Sequence, residues 1–156
     1  MPKTSTKAAA ASRSAPPAYR LEDQVGFLLR RAYQRASSNL VEQIGPHDLT
    51  APQFATLARL YERGPLSQNL LGRLVAMEPA NIRDVVQRLK KRRLVSTSRA
   101  PDDARLILVG LTPTGMALVQ DLLPIEVECT ARTLASFSAQ EKRILYELLN
   151  RLAGAS

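Results

Sequence analysis

The chain has 156 residues, and 45% of them are hydrophobic, which is ordinary for one globular domain with a substantial core. Lys and Arg number 22 against 14 Asp and Glu, so the net charge is +8 at pH 7. This charge favours a polyanionic partner, with double-stranded DNA ahead of a membrane surface. No apolar run approaches the ~18 residues of a membrane span, no secretory signal is evident, and a single cysteine excludes an internal disulfide. We therefore expect a cytoplasmic protein without a membrane segment.

The first elements are a tail and a long helix. Residues 1–18 contain basic residues and prolines without apolar periodicity, which predicts a flexible basic tail. From Tyr19 onward, apolar side chains recur every three or four residues until Gly45-Pro46, which predicts a helix with one apolar face. The residues of that face are Leu21, Val25, Leu28, Leu29, Ala32, Ala36 and Leu40.

The second and third predicted helices have strong start signals. Thr50 and Gln53 form a capping box, and Leu49 is placed to pack on Phe54. We expect the second helix to end at Gly64-Pro65 and to bury Phe54, Leu57, Ala58 and Tyr61. Ser67 is the expected N-cap of a short third helix.

A fourth helix and a hairpin follow. Pro79 stands at a first helical position, and Ile82, Val85, Val86 and Leu89 form a buried stripe. The β-like runs 94–99 and 106–112 flank a turn, which predicts a hairpin. A helix pair followed directly by a small hairpin is typical of a winged helix.

Two more helices complete the chain. The fifth helix begins at Thr112-Pro113, and Pro124 should produce a kink in it. The sixth helix begins at the capping box of Ser138 and Glu141. The fold class is thus mainly α with a small β-hairpin wing: a winged helix-turn-helix lobe over 47–111, flanked by helices in 19–46 and 112–153. These flanking helices carry more apolar surface than one small core absorbs, which favours a homodimer over packing within one subunit.

The fourth helix carries the candidate base-reading residues. Opposite its apolar stripe lie Asn81, Arg83, Asp84, Gln87, Arg88 and Lys91. Asn and Gln bond bidentately to adenine, and Arg does so to guanine. Asp84 either accepts from cytosine or holds Arg88 one turn away. The basic run Lys90–Arg93 suits phosphates. A merely solvated charged face is the alternative, and the adjacent hairpin favours the recognition helix.

The hairpin carries Arg99, Asp103 and Arg105. An arginine on a narrow wing is attracted by the focused potential of the minor groove. The Asp103 carboxylate is expected to hold the Arg105 guanidinium in a charge-assisted bond. An ordinary surface ion pair is the alternative interpretation.

Several of these segments together resemble the signature of the MarR family of transcriptional regulators. They are Leu66-Ser67-Gln68, Met77–Val95, Asp103-Ala104-Arg105 and Leu111-Thr112-Pro113-Thr114-Gly115. The resemblance covers about residues 20–152. It implies an obligate dimer reading a pseudo-palindromic operator, with Ser67, Gln68 and Asn69 also at the DNA. It further implies a pocket for a small aromatic acid effector. Within the family, the chain is similar to repressors of nicotinate-type catabolism.

The chain departs from the family pattern at two places. The usual glycine after the recognition helix is Arg93, at a position that often needs a left-handed backbone. Ala80, Asn81, Arg83 and Asp84 replace the common S-T-x-T-R residues, so no relative supplies the operator sequence.

Candidate ligand-binding residues lie near the first two helices: Arg20, Tyr33, His47 and Arg59. They are able to pair with a carboxylate or stack on a ring, although His47 also fits a surface residue without a role.

Cys129 is either a redox switch or a plain helix cysteine. One His, one Cys and scattered carboxylates predict no enzyme, no metal site and no cofactor.

These observations predict a ligand-responsive repressor that a small aromatic acid releases from DNA. The alternatives are an architectural DNA-binding protein without an effector, a redox-sensing regulator that uses Cys129, and a basic module that docks on acidic proteins.

Overall fold

The computed structural model describes residues 19–103 and 105–154. Short 3-10 turns at Leu21–Asp23 and Gly45–His47 flank the first helix. The other elements, in chain order, are α1 (Val25–Ile44), α2 (Ala51–Arg63), β1 (Leu66–Ser67), α3 (Gln68–Leu74), α4 (Pro79–Lys91), β2 (Val95–Arg99), β3 (Ile107–Leu111), α5 (Pro113–Thr133) and α6 (Ala139–Leu152). The mainly helical winged helix-turn-helix fold is confirmed.

The predicted helix starts are confirmed at atomic detail. Thr50 Oγ1 accepts from the Gln53 N–H, and Gln53 Oε1 accepts from the Thr50 N–H at 2.9 Å, which closes the capping box of α2. Ser67 Oγ accepts from the Leu70 N–H at the start of α3. Ser138 and Glu141 form the second capping box at α6. The carboxylate of Glu141 accepts from the Ser138 backbone N–H and hydroxyl, and this lowers its pKa.

The sheet has one strand more than the sequence predicts. The hairpin of β2 and β3 is antiparallel, with Val95 opposite Leu111 and Arg99 opposite Ile107. On the other edge of β3, Leu66 pairs with Val109. The strand order is therefore β1-β3-β2. A two-residue strand is too short to show an alternating pattern, so β1 has no detectable sequence signal.

The core joins the winged helix lobe to α5. Its most buried side chains include Ile44, Leu57, Leu60, Leu71, Ile82, Leu89, Val109, Val119 and Leu122. The prediction that Tyr61 is buried is wrong, because its side chain is 40% exposed. The buried face of α2 runs through Phe54, Leu57 and Leu60, and Tyr61 lies past its edge.

The outer faces of α1 and α6 remain apolar and exposed in the single chain. No residue of α6 is buried, and Leu148 and Leu152 are 51% and 59% exposed. On α1, Val25 and Tyr33 are 61% and 65% exposed.

Pro124 lies inside α5, which continues across it without interruption. In the described part of the chain, no helix is long and apolar enough to cross a membrane.

Hydrogen bonds of the segment Leu111–Gly115 connect the end of α4 to the start of α5. Thr112 caps α5 by accepting from the Gly115 N–H at 3.0 Å, and its hydroxyl donates to the carbonyl of Arg93 at 2.6 Å. The Thr112 N–H donates to the carbonyl of Leu94. A Cβ atom on Gly115 would lie 1.9 Å from that same carbonyl oxygen. Only glycine therefore fits at this contact between helix and wing.

Candidate functional site

The α4 helix presents its polar face to solvent. Ile82, Val86 and Leu89 are buried on the inner side of the helix. The predicted reading residues Asn81, Arg83, Asp84, Gln87, Arg88 and Lys91 are all exposed. The ion pairs of the described residues join Arg20 to Asp23, Arg59 to Glu62 and Arg132 to Glu128, so none holds Asp84 to Arg88. The polar face is consequently available to base edges.

A tight turn sets α3 against α4. Gly72 is buried, and a Cβ atom there would lie 3.0 Å from Cγ2 of Ile82, so the two helices approach closely. Ala76 has a left-handed backbone, and the Met77 N–H donates to the Gly72 carbonyl at 2.9 Å. At the start of α3, Asn69 is exposed, whereas Ser67 and Gln68 are half-buried, and the Ser67 hydroxyl already serves as the N-cap.

The basic run at the end of α4 divides into two pairs. Lys90 Nζ donates to Thr97 Oγ1 of β2 at 3.0 Å. Arg92 donates to the carbonyl oxygens of His47 and Asp48, in the turn between α1 and α2. Lys90 and Arg92 thus make contacts within the chain that help to hold α4 in place, and the interpretation of the run as phosphate contacts stays a prediction. Lys91 and Arg93 are exposed.

Arg93 occupies the glycine position of a helix C-cap. Its φ is 59°, in the left-handed region, as the glycine at this position of the family pattern indicated. The Leu94 N–H donates to the Leu89 carbonyl at 3.0 Å, and the Arg93 N–H donates to the Lys90 carbonyl at 2.9 Å. These two bonds make a Schellman motif, in which glycine is preferred because it has no Cβ atom.

We expect Arg93→Gly to raise the free energy of unfolding by about 0.5–1 kcal/mol, because it relieves a left-handed backbone in a residue with a Cβ atom. Urea unfolding measures this change. Lys91→Gly, inside the helix, is the control, and it should lose about 1 kcal/mol. An Arg93→Gly protein no more stable than the original would contradict the argument.

The wing places its polar residues differently from the prediction. Asp103 Oδ1 accepts from the backbone N–H of Arg105 at 2.9 Å, and no ion pair of the described residues joins the two side chains. The prediction that the Asp103 carboxylate binds the Arg105 guanidinium is therefore wrong. An Asp side chain easily reaches the backbone N–H two residues ahead, and this bond shapes the turn. Arg99 and Arg105 are both exposed.

A cavity of about 750 Å³ lies where α1, α2 and the end of α3 meet α5 and α6. This volume is within the range of small-molecule sites. Most of its lining is apolar, and two predicted ligand-binding residues, Tyr33 and Arg59, line it. Arg59 Nη1 contacts Glu62 Oε2 at 2.7 Å. Arg20 and His47 do not line this cavity, although they are close to it in sequence: Arg20 precedes α1 beside Asp23, and His47 meets Arg92.

Glu126 is a lining residue that the sequence analysis missed. It is half-buried on α5, and burial raises the pKa of its carboxyl group. Its Oε2 atom is buried without a hydrogen-bond partner in the described part of the chain. A sequence signal was present, since Glu126 continues the buried stripe of Val119, Leu122 and Cys129 at helical spacing.

Cys129 is packed inside the same region. Its side chain is 2% exposed, and Sγ donates to the carbonyl of Asn39 at 3.4 Å. Arg132 Nη2 lies 3.5 Å from Sγ. A buried thiol of this kind is poorly accessible to oxidants. Within residues 19–103 and 105–154, no cluster of His, Cys, Asp and Glu side chains is arranged to hold a metal ion.

The fold is that of a winged-helix DNA-binding protein, because α3 and α4 pack closely together, α4 exposes a polar face, and a two-stranded wing follows. The sequence pattern of the MarR family matches residues 49–107. The repressor NicR of Pseudomonas putida is 37% identical over 152 residues, which are 97% of this chain and 95% of the relative. The chain therefore belongs to the MarR family, and it is a DNA-binding transcriptional regulator.

Solved structures agree with this assignment. A probable transcriptional regulator from Pseudomonas aeruginosa shares 47% identity at a TM-score of 0.78, covering 85% of this chain and 99% of the other. BpsR of Bordetella bronchiseptica shares 37% identity at a TM-score of 0.82, covering 88% and 99%. The DNA binding of BpsR is regulated by 6-hydroxynicotinic acid.

Proposed function

We propose that the protein is a repressor that binds a pseudo-palindromic operator as a homodimer and is released by a small aromatic or N-heteroaromatic acid. The observation that carries this proposal is the position of the cavity. It is bounded by α1, α5 and α6 on one side and by α2 and the end of α3 on the other. A ligand there alters the angle between the flanking helices and the reading lobe.

The homodimer is supported by the exposed apolar faces of α1 and α6. Large apolar side chains that remain exposed on two long helices mark an interaction surface. A second copy supplies a matching face, because two-fold association places the same surface on both subunits. Two α4 helices then reach two half-sites about one DNA turn apart. The protein acts on DNA in the cytoplasm.

The effector class follows from the cavity and from two relatives. NicR is a repressor, and the DNA binding of BpsR responds to 6-hydroxynicotinic acid. The guanidinium group of Arg59 can donate hydrogen bonds to a ligand carboxylate, and the ring of Tyr33 can stack on an aromatic ligand. Release is a population shift: the acid binds better to a dimer whose α4 helices are wrongly spaced for the operator.

The alternatives have less support. An architectural protein needs no cavity of this size beside its DNA-binding lobe. A redox regulator using Cys129 needs an accessible thiol, and this thiol is buried. A module docking on acidic proteins needs no groove-reading face opposite the buried stripe of α4.

A binding titration tests the proposal. With an operator selected from genomic DNA, we expect two chains per operator and a log–log salt slope of about −0.9 for each of ~6–10 neutralised phosphates. Added 6-hydroxynicotinic acid should weaken binding and raise the melting temperature of the free protein, because a ligand stabilises the state it binds.

Variants of α2 identify the site of action. Arg59→Gln should weaken the acid's effect about 10- to 100-fold, because a charge-assisted bond is lost. Arg63→Gln is the matched control: it removes an exposed arginine one turn further along α2, outside the cavity lining. Operator binding that no aromatic or N-heteroaromatic acid weakens would contradict the proposed release. Binding by a single chain would contradict the dimer.

A further inference from the structure

Glu126 lines an apolar cavity, and one of its carboxyl oxygens is buried without a hydrogen-bond partner. Burial of a polar atom without a partner is unfavourable, so buried polar groups are normally hydrogen-bonded. In residues 19–103 and 105–154 no group bonds to Glu126 Oε2. Leu123 and Leu134 are among the apolar residues that line the same cavity. A ligand that contacts Glu126 in the cavity is one group that can supply the missing partner.

The charges around Glu126 indicate what that partner is. The titratable and charged groups that line the cavity with it are Tyr33 from α1, Arg59 and Glu62 from α2, Cys129 from α5 and Tyr146 from α6. Among these described lining residues Arg59 is the sole cation, so it suits the carboxylate of an acid. Glu126 then faces another part of the ligand. Burial raises the pKa of its carboxyl group, and the protonated form of that group carries a donor O–H beside an acceptor C=O.

On the basis of the effector class proposed above, we infer that Glu126 pairs with the lactam edge of an N-heteroaromatic acid and so selects it over carbocyclic acids. A lactam presents an N–H donor beside a C=O acceptor, which matches a neutral carboxyl group through two antiparallel hydrogen bonds. 6-Hydroxynicotinic acid has this edge, because a hydroxyl next to a ring nitrogen exists in water mainly as the lactam. 4-Hydroxybenzoic acid has the same outline but no ring N–H.

Calorimetric binding of these two acids to the full-length protein tests the inference. The wild-type protein should prefer 6-hydroxynicotinic acid by about 10- to 100-fold, the value of two hydrogen bonds. Glu126→Leu should abolish the preference. Glu126→Gln should keep it, because an amide also carries a donor beside an acceptor. Glu128→Leu and Glu128→Gln are matched controls, since Glu128 is an exposed residue on α5 outside the cavity lining, and both should behave as wild type.

The pH dependence gives a second readout that a packing role would not produce. Affinity of the wild-type protein for 6-hydroxynicotinic acid should fall as the pH rises through the range in which Glu126 ionises, because the carboxylate loses its donor and repels the acid. Glu126→Gln should remove this dependence. If Glu126→Leu fails to fold, an unchanged pH response in Glu126→Gln overturns the inference.

The remaining outcomes separate this inference from the proposed function. A Glu126→Leu protein that keeps the preference, or a wild-type protein that binds both acids equally, overturns the role of Glu126 and leaves the effector class intact. A wild-type protein that binds neither of these acids, nor any other small aromatic or N-heteroaromatic acid, overturns both.

Discussion

Replacing Gly115 by alanine is expected to remove a large part of the protein's free energy of unfolding. The new Cβ atom would lie 1.9 Å from the carbonyl oxygen of Leu94 and 2.9 Å from its carbonyl carbon. Both obstacles are backbone atoms at the start of the wing, so no side-chain rotation relieves the clash. Losses above about 4 kcal/mol are exceptional for one substitution, and we expect this one to reach that range. A domain is stable by about 5–15 kcal/mol, so much of its stability would be lost.

Urea unfolding followed by circular dichroism measures the loss. Gly26→Ala is the matched control, because Gly26 also lies in the first turn of a long helix and its added Cβ atom would meet nothing within 4 Å. The control should be neutral or more stable by about 0.5–1 kcal/mol, since alanine favours helix. A Gly115→Ala protein within about 1 kcal/mol of the original would refute the close contact.

The second large effect is expected in DNA discrimination by α4. Arg83→Ala or Gln87→Ala should each cost about 1–3 kcal/mol against the selected operator and little against random DNA, because a base contact carries sequence information. Both residues are exposed on the side opposite Ile82 and Val86, so folding does not account for them. Competition binding with operator and random duplexes measures the ratio of affinities.

Lys91→Ala provides the contrast within the same helix. As a phosphate contact, it should weaken binding to operator and random DNA alike and reduce the salt slope by about one unit. The melting temperatures of all three variants should stay close to that of the original protein, because the residues lie outside the core. If Arg83→Ala and Gln87→Ala fold normally and keep full operator preference, α4 is not the reader.

Local features of the chain were predictable from the sequence because the atoms involved are a few residues apart. The capping box of Thr50 and Gln53 spans three residues, so its residue types alone specify the start of α2. The buried stripe of α4 follows from helical periodicity, which also assigns Arg83 and Gln87 to the opposite face. The same locality explains why the left-handed backbone at Arg93 agreed with a glycine position in the family pattern.

The remaining features depend on residues that are far apart in the chain and meet only in the folded protein. Arg92 donates a hydrogen bond to the carbonyl of His47, 45 residues away in the chain. No local sequence pattern distinguishes Arg92 from its neighbour Lys91. The strand β1 exists only because Leu66 lies beside Val109. Glu126 belongs to a cavity that five helices form together, whereas Arg20 and His47 lie outside that cavity despite their positions in sequence. The sequence by itself thus determined the elements and the exposed polar face of α4, because these depend on local hydrogen bonds and helical period. The tertiary structure decided the partners of the charged side chains and the lining of the cavity, because both depend on how separate helices pack.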